Sequence, residues 1–307
     1  MELEEYLAQL RDSAEPLKSA DLVQLSSLSL DDSAVVRSHW HHIADERRRR
    51  ILSHLAQLAE DNVEYDFDSV YLLGLDDSDD TVRLDSLRGL WENESPALES
   101  RLITLAETDP SAAVRAEASL ALGRFVLSAA YGRLGERRTT RVEDALRKVF
   151  EKKNEIEEVR ARALEAMGPL DLPWVRQAIS QAYESGNLRL KASAVHAMGR
   201  SCEPRWLPFL YGELISDEAE LRYEAATACG AFGDEEAIPN LVRLIMDEDD
   251  EVQAAAVAAL GEIGGQRAKD ALMILLDSEL SATREAAAAA LAAADFEEDP
   301  LAVKYRG

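Results

Sequence analysis

The chain has 307 residues, 47% hydrophobic and 6% aromatic, with 34 Lys and Arg against 59 Asp and Glu for a formal net charge of −25. That apolar content belongs to a folded chain, and the charge excludes a nucleic-acid backbone or an anionic membrane as the main partner, since both need lysines and arginines to neutralise them. No run approaches the roughly 18 apolar residues of a membrane helix, and Met1-Glu2-Leu3-Glu4-Glu5 lacks the basic and apolar regions of a signal peptide, so a cytoplasmic location is expected.

In chain order, residues 1–30 hold two helical patterns, around Leu3–Leu10 and Leu22–Leu30, that predict an N-terminal cap. Residues 31–94 read as two irregular repeats, anchored at Val36-Arg37 and Asp77–Arg83. Between these anchors lie a longer helix from about Arg48 to Glu60, the stretch Tyr65-Asp66-Phe67-Asp68 and a short helix ending near Leu75. Residues 95–294 read as repeats three to eight. Here an aliphatic residue, a basic or polar one, then alanines run to a Gly: Val114-Arg115 to Gly123, Val159-Arg160 to Gly168, Leu190-Lys191 to Gly199, Leu221-Arg222 to Gly230 and Val252-Gln253 to Gly261. A last copy begins at Thr283-Arg284 and has no closing Gly. The anchors 160, 191, 222, 253 and 284 keep a fixed 31-residue step, the signature of a stacked helical repeat. Two spacings, Arg37 to Arg83 and Arg115 to Arg160, are longer by about 14 residues, or four helical turns. The second excess, residues 124–141, is expected to be an extended helix reaching past the array, followed by a loop at Gly135–Thr140. Residues 295–307 form a tail.

Each late repeat has one grammar. Asp234-Glu235-Glu236 open a helix whose stripe is Ile238, Leu241, Leu244 and Ile245; acidic residues suit the positive end of its dipole. Asp247-Glu248-Asp249-Asp250 make the turn and supply N-cap oxygens. A second helix follows with Val252, Ala256, Ala259 and Leu260 on one face, and Gly261 with Gly264 is expected to provide its exit. Such a hairpin cannot bury its own stripe, so neighbours must stack. The prediction is an all-α superhelix, an armadillo-type solenoid of about eight helical hairpins.

The pattern Val-Arg-x-x-Ala-x-x-Ala-Leu-Gly, an acidic turn before it and Ala237-Ile238-Pro239-Asn240-Leu241 after such a Gly resemble HEAT repeats, in particular the subclass named after phycobilin lyases. The resemblance implies second helices that line a concave side, and a ladder in which each turn's Asp or Glu pairs with the following Arg, weakened at Lys191 and Gln253. It also implies a scaffold or adaptor that takes a protein partner through the concave face. The alternative is a lyase-like or chaperone-like subunit that holds a tetrapyrrole or a modified protein during chromophore attachment.

The sequence carries no P-loop, Gly-x-Ser-x-Gly, His-Glu-x-x-His or Cys-x-x-Cys, and no His-Glu dipeptide of the kind used by di-iron HEAT-repeat hydroxylases; no catalytic residue or cofactor is assigned. In His39-Trp40-His41-His42, His39 and His42 share a helix face that could hold a metal, although a third ligand is missing and packing explains them as well. At least one of Arg47-Arg48-Arg49-Arg50 is expected to pair with the acidic 61–68 stretch. Arg124, Arg133, Arg137, Arg138 and Arg141 invert the local charge and either grip a carboxylate-rich or phosphorylated partner or dock on acidic turns of their own array. The residues one and five places after each anchor should face away from the core: Ser38 and His42, Leu84 and Arg88, Ala116 and Leu120, Ala161 and Glu165, Ala192 and His196, Tyr223 and Thr227, Ala254 and Ala258, Glu285 and Ala289. Among them Arg88, His196 and Tyr223 are the candidate contacts for a partner, Tyr223 as an aromatic anchor. Cys202 and Cys229 read as buried reduced thiols.

Overall fold

The structure, a computed structural model, describes residues 3–12, 16–279 and 281–298, without the side chains at 282 and 295–298. All regular structure among these residues is helical. The chain divides into two compact units, 1–159 and 160–307. The first holds α1 (Leu3–Leu10), α2 (Ser19–Leu22, continued by a 3-10 turn at Val23–Leu25), α3 (Leu30–Trp40), α4 (Asp45–Asp61) and α5 (Asp68–Gly74). It goes on with α6 (Asp80–Gly89), α7 (Pro96–Thr108), α8 (Ala112–Ala121), α9 (Gly123–Ala130) and α10 (Glu136–Glu151). After α11 (Glu157–Met167) at the boundary, the second holds α12 (Pro173–Tyr183), α13 (Leu188–Ser201), α14 (Leu207–Glu213) and α15 (Ala219–Phe232). It ends with α16 (Ile238–Leu244), α17 (Asp250–Ile263), α18 (Gly265–Leu275) and α19 (Ser281–Glu298). Helical hairpins follow one another in each unit, α3/α4, α5/α6 and α7/α8 in the first and α12/α13, α14/α15, α16/α17 and α18/α19 in the second.

Local chemistry sets the boundaries. Ser29, Asp79, Ser95, Asn187 and Asp249 cap helix N-termini with side-chain oxygens that accept from backbone amides. Pro96 and Pro173 start α7 and α12, where no amide partner is lost. The exits of α13, α15 and α17 fall at Cys202, Gly233 and Gly264, with φ of 48°, 66° and 62°. Positive φ suits the two glycines, whereas Cys202 adopts it with an exposed thiol. The expectation of two buried cysteines therefore holds for Cys229 alone, whose thiol burial pushes up to about 12.

Gly199, Gly230 and Gly261 do not end their helices; they lie inside them and let the next second helix come close. A Cβ at Gly199 would stand 2.7 Å from Ala228 Cβ, at Gly230 2.9 Å from Ala259 Cα, and at Gly261 2.9 Å from Ala290 Cβ. Thus α13, α15, α17 and α19 touch backbone to backbone, with Leu190, Val195, Leu221, Val252 and Leu260 buried beside the contacts. The thin, Ala-rich core follows from this approach.

Three expectations need correction. First, Arg37 is not the first anchor: it is exposed on α3, the leading helix of the first hairpin. Arg48 on α4 takes that role, donating to the Ile43 carbonyl and to Asp77, so the first long spacing contains no insertion. Second, residues 124–141 are not one projecting helix: α9 stops at Ala130, residues 131–135 turn back, and α10 starts at Glu136 and packs on α7 and α9. Third, Leu22–Leu30 is not one helix: after Leu25 the chain breaks and Leu30 opens α3. Of the tail, α19 runs to Glu298, and 299–307 lie outside the described residues.

Candidate functional site: an aromatic and acidic cleft in the first unit

The turns preceding the second helices hold the array together before any partner is considered. Asp77, Asp109 and Asp247 each close such a turn, Oδ1 accepting from the amide two residues on at 2.9, 2.8 and 3.0 Å. Their carboxylates meet the guanidinium of the preceding second helix: Arg48–Asp77 and Arg83–Asp109 at 2.8 Å, Arg222–Asp247 at 2.7 Å. Glu155 does the same for Arg115 at 2.7 Å. Their carbonyls accept from the side chain that follows: Asp77 from Arg83 at 2.9 Å, Asp109 from Arg115 at 2.7 Å, Asp247 from Gln253 at 2.6 Å. The ladder thus exists with a different wiring. The carboxylate serves the preceding arginine, and the carbonyl serves the following one. Where the anchor is Lys191 or Gln253 instead of arginine, the next turn presents Ser216 or Ser278 instead of an acid. Lys191 turns to Glu213 at 2.8 Å. These arginines are structural.

Much of the basic insertion is spent in the same way. Arg124 donates to the Leu90 carbonyl and, at 3.2 Å, to the Asn93 carbonyl; burial holds its guanidinium below the ordinary arginine range. Arg138 pairs with Glu99, whose side chain is 1% exposed, and Arg141 approaches the same carboxylate at 3.6 Å. Arg133 lies 5.5 Å over the Tyr131 ring; it, Arg137 and Arg141 are exposed, the last also donating to Ser100 Oγ at 3.2 Å. In the first quartet, Arg48 and Arg49 pair with Asp77 and Asp79, not with residues 61–68. His39 and His42 turn Nδ1 back on the Val35 and Ser38 carbonyls of their own helix, both at 3.1 Å, and no cluster of three His, Cys, Asp or Glu able to hold a metal exists among the described residues.

The outward rows hold in part. Arg88, Leu120, Tyr223, Thr227, Ala254, Ala258, Glu285 and Ala289 are exposed. Ala116, Ala161, Glu165 and Ala192 are buried instead. Glu165 is covered because Arg189, Ser193 and Arg162 converge on it at 2.8, 2.7 and 2.9 Å. These bonds keep its carboxyl low although burial pushes it up. His196 is half-buried with Nδ1 3.1 Å from Glu224, and Tyr223 stands next to that glutamate.

Around Arg88 the surface opens. A cleft of about 620 Å³ is bounded by Ser53, Ala56, Ala59 and Glu60 of α4, by Val63, Tyr65 and Tyr71, and by Asp85, Arg88, Gly89, Trp91 and Glu92 at the end of α6. A second depression on the far side of Arg88 and Trp91 continues to Leu120, Ala121 and Arg124. Trp91 is 70% exposed and Val63 is 94% exposed. Tyr71 is 3% exposed, its hydroxyl has no hydrogen-bond partner, and burial pushes it up to about 12. Its ring lies over Gly89, where a Cβ would run into Cε1 and Cζ. Asp85 is held above the usual carboxylate range, first by burial and then by Asp79, with Arg88 working against it.

The cleft follows from the repeat pattern. Eight residues after the anchor the regular repeats place the Gly that lets the next helix close in; the repeat anchored at Arg83 has Trp91 there, and the repeat anchored at Arg48 has Ala56. Without glycine at those places α4, α6 and α8 leave the space that α13, α15 and α17 fill. Trp91 was not among the sequence candidates, and its substitution for that Gly is the signal that points to it.

The family model for HEAT repeats matches residues 207–292, which span α14 to α19 except the last six residues of α19. Residues 207–292 are HEAT repeats. No curated protein matches the chain. The solved complex of CpcE and CpcF of phycocyanin lyase from Nostoc sp. PCC7120 is similar to it with a TM-score of 0.53 and 16% identity, over 92% of this chain and 97% of that one. Kap95p bound to RanGDP is similar with a TM-score of 0.51 and 14% identity, over 95% of this chain and 46% of that one. At these identities the likeness to both is one of fold.

Proposed function

We propose that the protein is a non-enzymatic scaffold or adaptor of the cytoplasm that takes another polypeptide on the outer face of its second helices, with the cleft at Arg88 and Trp91 as the principal seat. The carrying observation is Trp91. A tryptophan that is 70% exposed, set where the repeat calls for glycine and bordering an open cleft, costs solubility unless it is covered in use. Proteins of similar fold are seen in complexes, CpcE with CpcF and Kap95p with Ran, which supports polypeptide partners in general. Arg133 and Arg137 are the residues of the basic insertion free to add contacts, whereas Arg138 and Arg141 are committed to Glu99.

Affinity capture from the source cells with the wild type, with Trp91→Ala and with Arg133→Glu/Arg137→Glu tests this reading. A specific protein retained by the wild type and lost with Trp91→Ala supports it; recovery of the same proteins by both refutes the seat, and recovery of none refutes the adaptor. The second reading, a subunit that holds a tetrapyrrole, is favoured by the cleft volume, which falls within the range of small-molecule sites. It predicts visible absorption that copurifies with the wild type and disappears with Trp91→Ala.

A further inference from the structure

Resting on that reading of the cleft, we propose that its ligand is a basic, apolar peptide segment: a lysine or arginine side chain of the partner enters between the carboxylates, its alkyl stem lies along Trp91, and its backbone carbonyl accepts from the Tyr71 hydroxyl.

Three observations lead there. The first is charge. Glu60, Asp85 and Glu92 face the cleft against the single guanidinium of Arg88. Arg88 is already shared between Asp85 at 3.9 Å and Glu117 at 3.4 Å. The rim continues the sign, with Asp61, Glu64 and Asp66 exposed in the adjoining segment, and the whole chain carries −25. An anionic group entering here meets uncompensated carboxylates, whereas a cation relieves Asp85, which burial has partly stripped of water. The second is the Tyr71 hydroxyl, buried and without a partner at the wall of the cleft. A buried hydroxyl lacking a hydrogen bond is costly, and a peptide carbonyl supplies the missing acceptor. The third is surface chemistry. Trp91, Tyr65, Val63 and Ala59 provide apolar area beside the acids, and long basic side chains match both at once, with the stem on an aromatic face and the charged end at a carboxylate.

The test uses the full-length protein to select from a displayed library of random 15-residue peptides, with Trp91→Ala, Asp85→Asn and Tyr71→Phe as counter-targets and fluorescence polarisation of the selected peptides as readout. The expected peptides carry Lys or Arg beside apolar residues. Their dissociation constants should rise at least tenfold with Trp91→Ala and with Asp85→Asn, and severalfold with Tyr71→Phe, and binding should weaken with added salt. Unchanged melting of Trp91→Ala and Asp85→Asn separates loss of the site from loss of the fold. Enriched peptides that are acidic or neutral, or that bind wild type and Trp91→Ala equally, overturn the basic-segment assignment and leave the adaptor reading to the capture assay. An empty selection overturns it as well.

Discussion

The contacts between second helices predict opposite signs for one substitution at two glycines of the same unit. Gly212 lies exposed in α14, and the methyl group that alanine would add there meets nothing within 4 Å. A Cβ at Gly230 in α15, by contrast, would stand 2.9 Å from Ala259 Cα and 3.0 Å from Ala259 Cβ. Replacing a helical Gly by Ala gains about 1 kcal/mol of helix propensity at either position. At Gly212 nothing opposes the gain, so Gly212→Ala should stabilise by about 0.5–1 kcal/mol. At Gly230 the methyl group also meets Glu262 Oε2, which can swing aside, but Ala259 Cα is backbone and α17 must move as a body. Overpacking of this kind costs about 1–3 kcal/mol. The balance for Gly230→Ala is a loss of about 1 kcal/mol. Urea unfolding of both variants, with hydrogen exchange of α15 and α17, measures it. A shift of the same sign for both variants refutes the close-contact account of the repeated glycine.

Three further outcomes follow from the ladder and the core. Gln253→Arg and Ser278→Asp should each change stability little, while the pair restores the missing rung with a coupling of about 1–3 kcal/mol in a double-mutant cycle; additive singles would show that the turn cannot close. Burial alone would raise the Glu155 carboxyl, but Arg115 and Lys152 hold it at about 2, below its ordinary 4.5. Its folded-state value is depressed, so its contribution is complete above about 4.5 and is lost as pH falls toward about 2. Denaturation midpoints taken across that interval should fall less steeply for Glu155→Gln than for the wild type, and parallel curves would contradict the pairing. Leu260→Ala, at a fully buried site, should cost about 2–5 kcal/mol and open α16–α19 first in hydrogen exchange, since repeats couple to their neighbours; uniform loss across the chain would contradict that.

The hairpin array was legible because its constraint repeats: every second helix places a long polar side chain, most often arginine, at its turn and a small residue where the next helix touches, so five anchors keep one step. The first hairpin was not, because Val36-Arg37 on a leading helix imitates the anchor, while the true one, Arg48, is preceded by Arg47 in place of an aliphatic residue. The direction of the ladder was hidden as well, since sequence places each acid beside the following arginine but cannot show that the side chain turns back to the preceding one. Arg88 was found from its register. Glu165, in an equivalent register, failed because Arg189 and Ser193 from the next hairpin cover it, a contact between repeats that no single-repeat pattern reveals. The cleft itself depends on a departure from the motif, Trp91 in place of Gly, and departures carry no period.

Position 63 offers the most direct test of the central claim, because Val63 is 94% exposed and borders the cleft without supplying its anchor. A photo-crosslinking residue placed there in the source cells should join the protein to one polypeptide, and the adduct should vanish when Trp91→Ala is added. Absence of any protein adduct at position 63, or an adduct unchanged by Trp91→Ala, would contradict a partner seated in this cleft.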